Sequence, residues 1–132
     1  MACQIPCCLS DEIDSLLDKE FAWRGRGPDK FDCLGVILWL YDRCLCIDLP
    51  DPMQLSCKDT VDAFKAHFRL VDAPEPYDLI YVEEKSGFTG THVAMVENEK
   101  WAIHAVGNHG FERARLTDFY KARPEFYRLK NR

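Results

Sequence analysis

A cysteine at position 33 stands where an apolar helical run begins. Phe31-Asp32-Cys33-Leu34-Gly35 follows a Gly/Pro-rich loop, Gly25 to Pro28, and leads into Leu34 to Tyr41. The first turn of a helix carries unpaired backbone N–H groups and the positive end of the helix dipole. Both favour thiolate over thiol, and the thiolate is the nucleophile. A nucleophilic cysteine needs a base within hydrogen-bond reach, and the base needs an orienting partner. His92 and His104 lie in strand-like segments and could fill those two roles. His92 would pair with the sulfur and later protonate the leaving group, while His104 would fix its tautomer. The backbone N–H of Cys33 is a candidate oxyanion donor.

These residues need elements to position them. Ser10 reads as an N-cap with Asp11 and Glu12 in the first turn, and Ile13, Leu16, Leu17 and Phe21 then follow helical spacing. Trp23 to Lys30 reads as a loop. Cys33 to about Arg43 reads as a helix apolar nearly all round, hence central and buried. A third helix is expected over Lys58 to His67, with Val61, Phe64 and Phe68 on one face. Asp78 to Glu83, His92 to Glu97, Trp101 to Val106, Phe111 to Leu116 and Glu125 to Leu129 read as strands, and Thr117 to Lys121 as one helical turn. Helices first and strands second indicate an α+β fold, an antiparallel sheet covered by helices on one side. One domain over residues 1–132 is expected, with residues 1–9 fraying.

Register bears on the chemistry. If Glu97-Asn98-Glu99 is a three-residue hairpin loop, Val96 pairs with Lys100, Ala94 with Ala102 and His92 with His104. Directly opposed residues share a face, so the two histidines would touch there. Val93, Met95, Trp101 and Ile103 would take the other face. An even loop would separate the histidines.

Composition excludes several classes of function. The chain has 132 residues, 47% hydrophobic and 30% charged, with a formal net charge of −5. That is an ordinary globular balance with room for a core. Basic residues are scattered, which argues against a nucleic-acid partner. No apolar run reaches membrane-spanning length, and no basic region followed by an apolar core marks a secretory signal. Seven cysteines, Cys3, Cys7, Cys8, Cys33, Cys44, Cys46 and Cys57, cannot all pair internally, and free thiols are the expectation. Their spacings are not those of zinc fingers or ribbons, so no metal and no cofactor are expected.

Four motifs in order carry a resemblance. Asp32-Cys33-Leu34-Gly35-Val36 resembles the Asp-Cys-Ser/Trp-Gly-Leu nucleophile motif of the NlpC/p60 cysteine peptidases, a papain-like family. Pro76-Tyr77-Asp78-Leu79-Ile80 resembles its Pro-Gly-Asp-Leu strand, and Thr91-His92-Val93-Ala94-Met95 its His-Val-Gly-Ile motif. Trp101-Ala102-Ile103-His104-Ala105 resembles its Phe-Ile-His-Ala segment. The spacing, 59 residues from Cys33 to His92 and 12 more to His104, fits. The loop Gly25 to Cys33, with Ile47-Asp48-Leu49-Pro50-Asp51 after the helix, looks most like the short bacteriophage and prophage tail-associated members.

The resemblance implies a papain-like fold and hydrolysis of a peptidoglycan stem peptide, typically at the γ-D-glutamyl–diamino acid bond. It assigns Cys33, His92 and His104 to catalysis and implies partners at a phage tail tip. The protein would be made in the cytoplasm and act on the wall once carried there. Asp32 would receive a substrate amine, or simply cap the helix. Trp23 would line the cleft, and Arg26 would meet stem-peptide carboxylates. Leu34, Tyr77 and Ala94 depart from the family pattern, and Trp23 stands nearest to where the family often has a tyrosine. A cysteine amidase toxin on the same scaffold, or a non-hydrolytic tail or assembly protein, are the alternative functions.

Overall fold

The computed structural model describes residues 8–52, 58–83, 91–105 and 110–131; at 58–61, 83, 91 and 92 it describes the backbone alone. In chain order the elements are α1 (Leu9–Leu16), β1 (Glu20–Phe21), β2 (Lys30–Phe31), α2 (Cys33–Leu45), α3 (Lys58–Lys65), β3 (Phe68–Val71), β4 (Leu79–Glu83), β5 (Thr91–Val96), β6 (Trp101–Ala105), β7 (Phe111–Arg115), α4 (Leu116–Phe119) and β8 (Glu125–Leu129), with a 3-10 turn at Tyr120–Ala122. Strands β3 to β8 form one six-stranded sheet in the order β3-β8-β4-β5-β6-β7. Each neighbouring pair in it is antiparallel. The expected α+β architecture is the observed one. No helix among the described residues is long and apolar enough to cross a membrane.

Helix α2 is central because its apolar residues cover most of its circumference. Leu34, Val36, Ile37, Leu40 and Tyr41 are all buried. They pack with Ile13 and Leu16 of α1 and with Leu79, Tyr81, Val93, Met95 and Ile103 of the sheet. The helix ends at Cys46, which turns left-handed at φ 56. There the Cys46 N–H reaches the Asp42 carbonyl and the Ile47 N–H the Tyr41 carbonyl, each at 3.1 Å. That pair of bonds closes the helix and satisfies its last carbonyls.

The far face of the sheet is also covered. Ile80, Ala94, Val96 and Ala102 pack there with Leu116 and Phe119 of α4 and Phe126 of β8. The expectation of cover on one side is therefore corrected: the chain folds back at α4 to seal the second face.

Three local expectations change. Ser10 is not the N-cap of α1. The cap is Cys8, which makes no side-chain bond to the helix, and the Ser10 hydroxyl donates to Glu97 Oε2 at 2.7 Å. Phe21 is not helical but pairs with Phe31 in a short parallel ladder. Phe68, expected on a helix face, opens strand β3, which was not expected and pairs with β8. Phe64 and Phe68 do share the core, with ring centroids 5.3 Å apart.

The β5–β6 register differs from the expectation by two residues. Val96 lies opposite Ala102 and Met95 opposite Ile103, not Val96 opposite Lys100. The turn is longer because it is pinned from within. Asn98 Oδ1 accepts the N–H groups of Lys100 and Trp101, each at 2.9 Å. Glu97 turns inward, where its carboxylate receives Arg113 Nε at 2.7 Å.

Candidate active site

Cys33 opens α2, and its neighbour Asp32 caps the helix. Asp32 takes extended backbone, and its Oδ1 accepts the Gly35 N–H at 2.6 Å. Asp32 Oδ2 accepts the Arg24 N–H at 3.1 Å, and Arg26 Nη1 donates to Oδ1 at 2.8 Å. Arg26 also donates from Nε and Nη2 to the two oxygens of Asp51, at 2.7 and 3.0 Å. The loop that carries Trp23 to Lys30 is thus tied to the start of the nucleophile's helix by charge-assisted bonds.

Gly35 makes the close approach possible. A Cβ built there would stand 2.1 Å from the Gly25 carbonyl oxygen, so only glycine lets the first turn of α2 lie against the loop. The same carbonyl accepts the Asp32 N–H at 3.1 Å.

The electrostatics of Cys33 differ from the expectation. The backbone N–H groups of Leu34 and Cys33 do favour the thiolate. Burial, first, and the Asp32 charge, second, outweigh them and push the thiol up to about 11. A helix N-terminus lowers a thiol's pKa only where the sulfur stays hydrated or meets a cation. Here the sulfur is half-buried beside a carboxylate, and Arg26 offsets that charge only in part. Reaction at neutral pH therefore needs a base to take the thiol proton.

Cys33, with Val36 and Ile37 of α2, lines a narrow cleft whose other wall includes Val93, Ile103, His104 and Phe111. His104 and Cys33 thus border one cavity. The His104 ring packs edge-on against Phe119, centroids 5.5 Å apart, and its Nε2 lies 3.2 Å from Glu112 Oε1. Glu112 stands directly opposite His104 on β7. It is a partner that sequence reasoning missed, because only the β6–β7 register reveals it.

His92 lies on β5 with its backbone opposite Val82; its side chain lies outside the described residues. Direct opposition of His92 and His104 is not the observed register. The β5–β6 pairing runs through Val96–Ala102 and Met95–Ile103. The face of β5 and β6 turned toward α2 carries Val93, Met95 and Ile103. Those three residues share a face, as the alternation predicts, and the large side chains are the ones that fill the space against α2.

Trp23 is 79% exposed, the largest value among the exposed large hydrophobics. Its ring meets Phe21 edge-on at 5.3 Å, and Phe21 packs against Phe111 of the cleft wall at 6.2 Å. It lies beside the cleft rather than in the core. Tyr77 occupies the turn before β4 at φ 75, a conformation natural to the glycine that the family motif carries there.

Cys33 is a thiol, whereas Cys46 is disulfide-bonded, a correction to the expectation of free thiols throughout. Among the described residues, no group of three or more His, Cys, Asp or Glu is placed to hold a metal ion.

Comparison with known proteins agrees with this fold. The fold matches NlpC2 from Trichomonas vaginalis with a TM-score of 0.71 at 23% identity, over 96% of this chain and 48% of that one. The chain thus spans about half the length of that relative. It matches the NlpC/p60 domain of the peptidoglycan hydrolase SagA with a TM-score of 0.65 at 18% identity, over 92% and 95% of the two chains. An NLP/P60 family protein similar to lipoproteins, from Staphylococcus aureus, matches with a TM-score of 0.62 at 24% identity, over 95% of this chain and 41% of that one. A search of the curated proteins finds no match. The family model described as NlpC/P60 matches residues 18–125, a span that holds the Cys33 helix, the cleft and both histidine-bearing strands, and the chain belongs to the NlpC/P60 family.

Proposed function

We propose that this protein is a cysteine endopeptidase acting on peptidoglycan stem peptides, at the γ-D-glutamyl–diamino acid bond. The observation that carries the reading is Cys33 at the first turn of α2, flanked by backbone N–H groups, in a cleft that also holds His104. The family includes peptidoglycan hydrolases, and the SagA domain has the same fold.

In this reading His92 is the general base. Because burial and Asp32 hold Cys33 as a thiol, His92 takes the proton as the sulfur attacks the amide carbon. The resulting imidazolium protonates the leaving amine, and water then hydrolyses the acyl-enzyme. His104, held by Glu112, orients the base across the cleft. Asp32 and Arg26 hold the Trp23 loop against α2 through their mutual bond, and Trp23 faces the substrate.

The phage-tail association belongs to the same proposal. It is supported by the resemblance of Gly25 to Cys33 and Ile47 to Asp51 to tail-associated members. It assigns the protein to the wall, delivered there by a virion.

The test is mass spectrometry of soluble products from purified sacculi incubated with the wild type and with Cys33→Ala. Fragments released by the wild type alone, with masses of a cut after D-glutamate, are the expected result. Fragments released equally by Cys33→Ala overturn the mechanism. Products of a different bond point to another amidase, and no product from several wall types points to a non-hydrolytic role.

A further inference from the structure

The second histidine of the candidate site has a carboxylate behind it. Glu112 stands directly opposite His104 in the β6–β7 ladder, and its Oε1 lies 3.2 Å from His104 Nε2. His104 itself borders the cleft that Cys33 lines. Its ring is packed in place. Phe119, itself buried, meets it edge-on with centroids 5.5 Å apart, and the His104 side chain is 17% exposed. Register, ring packing and hydrogen bond agree on one placement of the imidazole.

That placement fixes more than orientation. A neutral imidazole carries one N–H, so one ring nitrogen donates and the other accepts. An ionised carboxylate only accepts. A bare Nε2 at 3.2 Å from Glu112 Oε1 would set acceptor against acceptor. The Nε2–H tautomer is therefore the favoured one, and in it Nδ1 carries no proton. Strand β6 lies between β7, which carries Glu112, and β5, which carries His92. The two ring nitrogens point apart, so a ring that gives Nε2 to β7 turns Nδ1 away from it.

We propose that Glu112 is a positioning residue for the hydrolysis: it fixes His104 as the Nε2–H tautomer, so that Nδ1 accepts the ring N–H of the base, His92. This deepens, and rests on, the reading of Cys33, His92 and His104 as the catalytic set. The hydrogen bonds then run in one direction, from His92 to His104 and from His104 to Glu112. One His92 nitrogen is a donor, so the other is bare and takes the Cys33 proton as the sulfur attacks the amide carbon. The imidazolium formed there keeps a neutral acceptor beside it until the leaving amine takes the proton. Neither His104 nor Glu112 gains or loses a proton. The opposite tautomer of His104 would meet His92 with an N–H. It would leave the single His92 proton on the nitrogen that must receive the thiol's, and a base in the wrong tautomer is a poor base.

The test reads the tautomer directly, by nitrogen NMR of the protein labelled at its four histidines, with His104→Gln to assign the resonance. At about pH 8.5, above the ordinary imidazole range, wild-type His104 should be protonated at Nε2 and bare at Nδ1. Glu112→Leu offers no acceptor, so the share of Nε2–H should fall. Its kcat on stem peptide should drop about 10-fold, the usual worth of an outer hydrogen bond that sets a histidine's tautomer, while KM moves by less than about threefold. Glu112→Gln still presents a carbonyl oxygen and should restore the tautomer, with kcat within about threefold of wild type. The three proteins should melt together, because the Glu112 side chain is 58% exposed and an exposed pair adds little stability. A wild-type His104 protonated at Nδ1 overturns the proposal. So does Glu112→Leu with an unchanged tautomer, or with kcat within about twofold of wild type, and so does Glu112→Gln as slow as Glu112→Leu. Hydrolysis that survives Cys33→Ala is a separate outcome: it overturns the underlying reading, whereas the tautomer is read on the resting protein.

Discussion

Asp32 caps the helix that Cys33 opens and, with the same carboxylate, opposes ionisation of the Cys33 thiol. The negative charge stabilises the positive end of the helix dipole. It also sits one residue from the group that must become an anion. Arg26 lies between the two effects: it bonds Asp32 at 2.8 Å and favours the Cys33 thiolate.

Asp32→Asn separates cap from charge. Asparagine is as good an N-cap and keeps an acceptor for the Gly35 N–H. The repulsive charge disappears while Arg26 keeps its bonds to Asp51. The sign follows directly: the thiolate gains, so the Cys33 pKa falls from its value of about 11. The pH profile of iodoacetamide alkylation should shift toward lower pH in this variant. A shift upward, or none, would show that Asp32 does not govern the sulfur.

His92→Ala tests the base. Burial and the Asp32 charge raise the Cys33 thiol, so without an imidazole partner alkylation should need high pH. The wild type should alkylate at lower pH. Stem-peptide hydrolysis at neutral pH should fall by about 10²–10⁴-fold, the usual worth of a positioned general base. Equal alkylation profiles in the two proteins would remove His92 from the mechanism.

What the sequence made legible follows from where each signal is stored. Helix α2 and strands β4 to β8 were readable because their periodicity is local: a run apolar all round, and alternating segments bounded by turns. Strand β3 was not, because Arg69 and Leu70 are exposed and its pairing with β8 is a long-range event. The β5–β6 register failed because Asn98 and the Glu97–Arg113 pair set the turn, and Arg113 is remote in sequence. Cys33 was found by its place at a helix start, but its ionisation was misjudged. Burial of the sulfur comes from tertiary packing, which no short motif encodes. Glu112 was invisible because only the β6–β7 register sets it beside His104.

The Arg113–Glu97 pair should be a main anchor of α1 to the sheet. The Glu97 carboxylate accepts Arg113 Nε at 2.7 Å, Arg113 Nη2 at 3.1 Å and the Ser10 hydroxyl at 2.7 Å. Arg113 Nη2 also donates to the Ser10 carbonyl at 3.0 Å. Arg113→Met leaves the Glu97 carboxylate buried with the Ser10 hydroxyl as its remaining donor among these. Removing one partner of a buried pair costs about 3–5 kcal/mol, and partial exposure of Arg113 puts this case near the lower end. Urea denaturation should show that loss. The double variant Arg113→Met, Glu97→Gln should recover a measurable part of it, since the uncompensated charge is gone. If the double variant is no more stable than the single one, the buried charge is not what sets the cost.

Gly35→Ala should be the most damaging single-atom-scale change near the nucleophile. The added methyl would stand 2.1 Å from the Gly25 carbonyl oxygen, a backbone atom. A flexible side chain could turn aside, but this oxygen is fixed because it also accepts the Asp32 N–H at 3.1 Å. Relief therefore requires the loop and the first turn of α2 to part. Overpacking of this kind costs about 1–3 kcal/mol, with larger values where backbone must move. The parting would also stretch the Arg24–Asp32 and Arg26–Asp32 bonds and displace Cys33 from the cleft wall. Hydrolysis should therefore fall far more than stability: a displacement of about 1 Å can cost 100-fold in rate. Measuring melting temperature and kcat on the same preparation decides the point. A variant that keeps wild-type kcat would show that the cleft does not depend on this contact between the helix and its loop.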